Sequence, residues 1–127
     1  MDKELINSHT KIKICGMTCE AHIKAVNTYL PDYIGFVLFF PKSNRNISIE
    51  QAEHLLEKVD KKIRTVAVVV SPTTEQIRQI EKAGFDYIQI HGTVTEDVYK
   101  QCKLPILRAF NVSDLDKLNE YEAKDKI

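Results

Sequence analysis

Five short apolar segments, separated by longer amphipathic ones, constrain the fold of this chain more than any other feature. Residues 33–40 (YIGFVLFF) and 64–70 (RTVAVVV) are too short to cross a membrane and are typical of strands buried on both faces. Regular alternation of strands with helices predicts right-handed βαβ units, and therefore a parallel sheet with helices outside it. The predicted strands are residues 11–15, 33–40, 64–70, 85–90 and 104–110.

Each predicted strand is followed by a segment with helical features. Thr18, Ser48 and Ser113 stand where they can cap the helices that follow, and Ser48 with Gln51 is typical of a capping box. Gly84 is predicted to end the third helix. The predicted helices are about residues 19–29, 48–59, 74–82, 96–102 and 114–122. In the first of them, the predicted buried stripe is Ala21, Ala25, Val26 and Tyr29.

Two architectures fit five such units. A flavodoxin-like sheet has about this length and the strand order 2-1-3-4-5, whereas a complete (β/α)₈ barrel needs at least about 200 residues. The first strand, however, ends in residues 15–18 (CGMT), which supply neither an acidic cluster nor a phosphate-binding loop. This loop favours a partial barrel, in which consecutive strands would be neighbours in the order 1-2-3-4-5.

The composition indicates one soluble domain. The chain has 127 residues, of which 43% are hydrophobic and 28% are charged. We expect a single domain over residues 1–127, with residues 1–10 as a polar lead-in. Eighteen basic residues balance 18 acidic ones, so no overall field would attract nucleic acid or an anionic membrane. We therefore expect neither as a partner, and any charged ligand must be bound by local groups.

The cysteines indicate a reducing compartment. Cys15, Cys19 and Cys102 form an odd set, and the polar start of the chain does not look like a secretory leader. We therefore expect free thiols and a cytoplasmic protein. The spacing of Cys15 and Cys19 has no second cysteine pair to complete a metal site, so no metal is predicted.

Several polar residues follow the predicted strands. Because the carboxyl ends of parallel strands meet at one edge, we expect Cys15, Arg45, Ser71 and His91 to converge there. Cys15 could act as base, nucleophile or ligand, or it could simply pack as a small apolar group. Arg45 is a candidate receptor for a carboxylate or phosphate. Gln89 and His91 alternate along one strand, so they point to the same side and can share a ligand.

Taken in order, these segments resemble the phosphoribosylanthranilate isomerase family from about residue 11 to the end. The segments that carry the resemblance are residues 13–18 (KICGMT), 32–37 (DYIGFV), 41–48 (PKSNRNIS), 66–70 (VAVVV) and 88–92 (IQIHG). The family consists of (β/α)₈ barrels in tryptophan biosynthesis, which perform an Amadori rearrangement of an aminoaldose phosphate to an aminoketose phosphate. The resemblance implies an isomerase with a small phosphorylated substrate and no cofactor.

The resemblance also implies roles for four residues. Cys15 matches the general base, and Arg45 matches the residue that holds the anthranilate carboxylate. Gln89 and His91 match a strand end that lines the substrate site. Ser71 stands where the family usually carries asparagine, and Asn44 replaces a common basic residue.

The resemblance places three functional parts of the family beyond Ile127. Residues 104–110 resemble the fifth strand, and the general-acid aspartate lies on the sixth. The glycine-rich phosphate loops follow the seventh and eighth strands. We therefore expect a barrel truncated to about five of eight units, weakly active or inactive alone. The alternative is a non-catalytic assembly module that self-associates through its open sheet edge.

Overall fold

A computed structural model of the chain describes residues 10–111 and residue 113. Within this part the chain forms one sheet, with a helix between successive strands except between the second and the third. The strands are β1 (Lys13–Cys15), β2 (Tyr33–Leu38), β3 (Asn46–Ile47), β4 (Arg64–Val70), β5 (Tyr87–His91) and β6 (Ile106–Arg108). The helices are α1 (Glu20–Tyr29), α2 (Ile49–Leu56), α3 (Thr74–Ala83) and α4 (Glu96–Gln101).

The strand order identifies the architecture. The sheet runs β1-β2-β4-β5-β6, and every pair is parallel. Apart from β3, which pairs with the end of β2, each strand therefore lies beside the next one in the chain. A flavodoxin-like domain would place its first strand between later ones, so this order excludes that alternative. The prediction of consecutive barrel-type (β/α) units is confirmed.

The main core lies between the sheet and the helices. Alternate strand residues point to this side, where Phe36 and Phe85 meet edge to face at 5.6 Å between ring centroids. Full burial stabilises an aliphatic or phenyl side chain by about 1.5–3 kcal/mol, so this layer dominates the folding free energy. The largest fully buried side chains are Phe36, Ile23, Ile34, Leu38, Leu55, Ile77, Ile80, Ile88, Ile90, Ile106, Val66 and Val69.

The opposite face of the sheet carries the remaining strand side chains. We call it the inner face, because it would line the interior of a closed barrel. Val37, Val66 and Val68 form a smaller apolar cluster there, with Tyr33 and Tyr87 packed against it. The two tyrosine rings meet edge to face at 5.6 Å. The apolar residues of the inner face thus lie below the carboxyl ends of the strands.

Helix caps explain where α2 and α3 begin. Ser48 Oγ accepts a hydrogen bond from the Gln51 backbone N–H, as predicted, but the Gln51 side chain donates to the Thr18 carbonyl instead of completing the box. The complete capping box lies at α3, between Thr73 and Gln76. These side chains satisfy N–H groups that have no partner within the helix.

The first helix differs from its prediction. Cys19, not Thr18, is the N-cap residue of α1, and it makes no side-chain cap hydrogen bond. The buried residues of α1 are Ile23 and Val26, so the prediction is right for Val26 but wrong for Ala21, Ala25 and Tyr29, which are exposed. The buried stripe is formed by the larger branched side chains of Ile23 and Val26, and the small alanines do not belong to it. The predicted fifth helix, residues 114–122, lies outside the described residues.

Both lateral edges of the described sheet are open. Among residues 10–111 and 113, strand β1 pairs only with β2, and β6 pairs only with β5. Apolar side chains are exposed at both edges: Ile12 is 57% exposed, Ile14 40% and Leu107 37%. In a closed barrel further strands would lie between these two edges and cover such groups.

Candidate active site

Cys15 lies at the carboxyl end of β1 on the inner face. Its neighbour in the register is Gly35 of β2, and the thiol is free and half-buried. A Cβ atom at Gly35 would lie 2.9 Å from Cys15 Sγ and 3.2 Å from Val68 Cγ2. Gly35 therefore creates a notch in which the thiol packs without leaving the inner face.

Arg45 lies directly above this strand end. Its Nη1 donates to the Cys15 carbonyl oxygen at 3.3 Å, and its side chain passes over Gly16, whose φ is 93°. A Cβ atom at Gly16 would lie 2.5 Å from Arg45 Cδ. The left-handed glycine therefore provides both the turn after β1 and the space that the arginine occupies.

The loop that carries Arg45 is held by its own polar groups. Asn46 Oδ1 accepts a hydrogen bond from the Phe40 N–H at 2.8 Å, which closes the loop between β2 and β3. Ser43 Oγ accepts from the Arg45 N–H at 3.2 Å. The sequence predicted only a polar loop here, and β3 went unpredicted because two residues give no periodicity.

A second polar group lies on β5. Lys13 Nζ, from β1, donates to Gln89 Oε1 at 2.5 Å, and Gln89 Nε2 donates to His91 Nε2 at 3.1 Å. Burial, followed by the charges of Lys13 and Arg108, lowers the pKa of His91 below its ordinary 6.5. His91 is therefore neutral at pH 7, where it can both donate and accept one hydrogen bond.

Hydrogen bonds that Ser71 and Arg108 make to neighbouring backbone groups connect the ends of β4, β5 and β6. The Ser71 N–H donates to the His91 carbonyl at 2.8 Å, and Ser71 Oγ accepts from the Thr93 N–H at 2.9 Å. Arg108 Nη1 donates to the Ile90 carbonyl at 2.8 Å, and Nη2 contacts the Gly92 carbonyl oxygen. Ser71 has a left-handed backbone, with φ 43°, which asparagine also tolerates.

The predicted residues thus form two groups along one edge. Cys15 and Arg45 are in contact, and Gln89 and His91 are hydrogen-bonded to each other. Sequence reasoning missed Lys13, although its spacing of two from Cys15 on one strand places both side chains on the same face. It also missed Arg108, whose contacts depend on the neighbouring strand.

No group of three or more His, Cys, Asp or Glu residues within 10–111 and 113 could hold a metal ion. In the same part of the chain, no helix is both long and apolar enough to cross a membrane.

Consecutive parallel strands with helices between them, and polar groups at the carboxyl ends of those strands, are typical of the (β/α)-barrel class of proteins. A family profile described as N-(5'phosphoribosyl)anthranilate (PRA) isomerase matches residues 12–127. The chain belongs to this family.

Individual relatives agree with this assignment. The chain is 38% identical over 104 residues to N-(5'-phosphoribosyl)anthranilate isomerase of Streptococcus mutans, covering 81% of the chain and 53% of the relative. It is 35% identical over 116 residues to the Clostridium acetobutylicum isomerase, covering 87% and 56%. The chain therefore spans about half the length of these curated relatives.

Solved structures show the same partial overlap. TrpF from Jonesia denitrificans is similar with a TM-score of 0.73 and 29% identity, over 83% of this chain and 53% of that one. Phosphoribosyl anthranilate isomerase from Thermotoga maritima is similar with a TM-score of 0.74 and 25% identity, over 89% and 58%. A further isomerase structure, with a TM-score of 0.74 and 25% identity over 89% and 61%, is in complex with reduced 1-(o-carboxyphenylamino)-1-deoxyribulose 5-phosphate.

Proposed function

We propose that this chain carries the proton-abstracting and carboxylate-binding side of a phosphoribosylanthranilate isomerase. The reaction converts N-(5-phosphoribosyl)anthranilate into 1-(o-carboxyphenylamino)-1-deoxyribulose 5-phosphate. The observation that supports it most is the hydrogen bond from Arg45 to the backbone carbonyl of Cys15, which places the guanidinium at the strand end that carries the thiol, at the edge where barrel enzymes bind their substrates. A cation and a thiol at one strand end provide a carboxylate receptor beside a base.

The chemistry assigns each group a step. Opening of the ribosylamine ring gives a Schiff base, and the Cys15 thiolate then removes the proton from C2′. The electron pair of that C–H bond moves to C1′, and the imine nitrogen takes up a proton, so that an enolamine forms. Tautomerisation of the enolamine gives the ketone. Arg45 would hold the anthranilate carboxylate and so fix C2′ relative to the thiolate.

Gln89 and His91 are proposed to line the substrate site. Both lie on β5 on the same face as Cys15, and both carry groups that can hydrogen-bond a sugar hydroxyl. They would orient the open-chain sugar, while Cys15 carries out the proton transfer.

We expect little or no turnover from the 127 residues alone. The family resemblance places the general acid and the phosphate-binding loops in parts of the barrel beyond Ile127. Loss of a single acid or base commonly lowers a rate by about 10²–10⁴-fold. A turnover assay with phosphoribosylanthranilate tests this expectation, and near-native activity of the isolated chain would contradict it.

Thiol protection tests the site without requiring turnover. Cys19 is exposed and Cys102 is buried, so both serve as internal references for alkylation of Cys15 followed by mass spectrometry. Reduced 1-(o-carboxyphenylamino)-1-deoxyribulose 5-phosphate, used as the probe, should slow alkylation of Cys15 but not of Cys19. Arg45→Met should abolish this protection, whereas Lys42→Met in the same exposed loop should retain it. Equal rates for Cys15 with and without the probe, at saturating concentration, would refute the proposed site.

The open edges favour a second candidate function, a non-catalytic assembly module. Ile14 at β1 and Leu107 at β6 are exposed on strands that, within the described part of the chain, pair on one side only. Unpaired strand edges with apolar side chains promote pairing with another chain. Light scattering over a range of concentrations should show a dimer that Ile14→Lys dissociates, while Tyr29→Lys, on exposed α1, leaves it intact. A protease-resistant monomer at all concentrations would rule this candidate out.

We further propose a cytoplasmic location and a small-molecule ligand, with neither nucleic acid nor membrane as partner. All three cysteines are free, which suits a reducing compartment. The balanced 18 basic and 18 acidic residues support local recognition of a small anion.

A further inference from the structure

Three polar side chains form a hydrogen-bonded chain across the inner face. Lys13 lies on β1, while Gln89 and His91 lie on β5, which is separated from β1 by β2 and β4 in the sheet. The contacts are 2.5 Å from Lys13 Nζ to Gln89 Oε1 and 3.1 Å from Gln89 Nε2 to His91 Nε2. Lys13 and Gln89 are 76 residues apart in sequence, so the contact is a property of the fold.

The donor and acceptor rules leave one arrangement of protons. A lysine ammonium can only donate, so the oxygen of the Gln89 amide must face Lys13. The amide NH₂ then faces His91, and an amide nitrogen can also only donate. His91 Nε2 must therefore accept, and the single proton of the neutral ring lies on Nδ1.

We propose that Lys13 is a positioning residue which, acting through Gln89, holds His91 in the tautomer protonated on Nδ1. Within residues 10–111 and 113, His91 Nδ1 has no hydrogen-bond partner, so this N–H remains available to an oxygen atom of a ligand. The assignment of that oxygen to the isomerase substrate rests on the proposed function, but the tautomer does not.

The charges around His91 agree with a neutral ring. Lys13 on β1 and Arg108 on β6 both bring positive charge, and together with burial they lower the pKa of His91. On the other side, β4 places the apolar Val70 in register with His91. A protonated ring would also direct a second N–H toward the amide NH₂ of Gln89, where no acceptor is present.

Long-range ¹H–¹⁵N correlation spectra of imidazole nitrogens test the proposal in the full chain. Above the pKa of His91, we expect Nδ1 to be protonated and Nε2 to be unprotonated. Lys13→Met keeps the length of the side chain but removes the donor, so the Gln89 amide becomes free to turn its oxygen toward His91. The Nδ1–H tautomer should then lose its predominance, and the pKa of His91 should rise.

Two further variants separate this mechanism from a general effect of charge. Lys11→Met removes a lysine from the exposed segment just before β1 and should leave the His91 tautomer unchanged. Gln89→Glu offers only acceptor oxygens, so Nε2 should carry a proton even though Lys13 is present. Backbone ¹H–¹⁵N spectra show whether each variant keeps the native fold.

Three results would overturn the proposal. They are a predominant Nε2–H tautomer in the unchanged chain, an unchanged tautomer in folded Lys13→Met, and the same loss of the tautomer in Lys11→Met. None of these measurements needs substrate. If the tautomer is found but the alkylation probe does not protect Cys15, the proposed function fails while this inference stands.

Discussion

Gly16→Ala should disturb the candidate site through Arg45, and Gly84→Ala provides a matched control. Both glycines have a left-handed backbone, with φ 93° at Gly16 and 97° at Gly84. A Cβ at Gly16 would lie 2.5 Å from Arg45 Cδ and 2.7 Å from Nη1, whereas at Gly84 nothing lies within 4 Å. The two substitutions therefore share the backbone strain but differ in the clash.

The expected magnitudes follow from these contacts. A left-handed backbone costs a non-glycine residue about 1–2 kcal/mol, so Gly84→Ala should lower the free energy of unfolding by about that amount. Gly16→Ala should also displace Arg45 and break its hydrogen bond to the Cys15 carbonyl, a contact of the kind worth about 0.5–1.5 kcal/mol. Its total cost should therefore be about 1.5–3.5 kcal/mol.

Binding should distinguish the two variants more clearly than stability does. Arg45 would no longer be held beside Cys15, and a hydrogen bond to a charged group is worth about 1.5–3 kcal/mol. We therefore expect Gly16→Ala to weaken anthranilate binding about 10-fold to 100-fold, and Gly84→Ala to leave it unchanged. Urea unfolding followed by circular dichroism measures the first quantity, and titration calorimetry with anthranilate measures the second. Equal losses of stability and of anthranilate affinity in the two variants would refute the reasoning.

Three further predictions concern stability and pH. The pKa of His91 is lower in the folded chain than in the unfolded chain, so below about pH 6.5 the unfolded chain takes up a proton at this histidine more readily. The urea midpoint should therefore fall as the pH is lowered below about 6.5. His91→Gln should reduce that fall. Phe36→Ala should lower the free energy of unfolding by about 3–5 kcal/mol, because it leaves a cavity at the centre of the core. In the same urea titration, Tyr29→Ala should change the free energy of unfolding by less than about 0.5 kcal/mol, because the Tyr29 side chain is 82% exposed. Thr73→Ala removes a complete capping box and should cost about 1 kcal/mol, and an unchanged urea midpoint would contradict the importance of this cap.

Strand β4 shows what the sequence could predict. Its observed bounds, Arg64–Val70, agree with the prediction, because a continuous run of branched residues is buried on both faces. The strand order was open between two architectures, since local patterns determine that strands form but not which strands become neighbours. A single loop at residues 15–18 favoured the arrangement that the structure has.

The candidate site was predictable only in part, for a similar reason. Cys15, Arg45 and His91 follow strands, so a parallel sheet brings them to one edge whatever their separation along the chain. The contact of Lys13 with Gln89 could not be predicted in this way, because it depends on how strongly the sheet curves. Likewise, the left-handed turn at Gly16 leaves the space that the Arg45 side chain occupies, and hydrophobic periodicity does not predict such a turn.

The hydrogen bonds at the exit of β5 have a consequence for the thermodynamics of binding. The carbonyls of Ile90, His91 and Gly92 all accept hydrogen bonds within the fold, from Arg108 or Ser71. A strand end fixed in this way has few alternative conformations to lose when a ligand orders it. If the proposed site binds its substrate here, this side is preorganised, and the entropic cost of binding should fall mainly on the ligand and on the long side chain of Arg45.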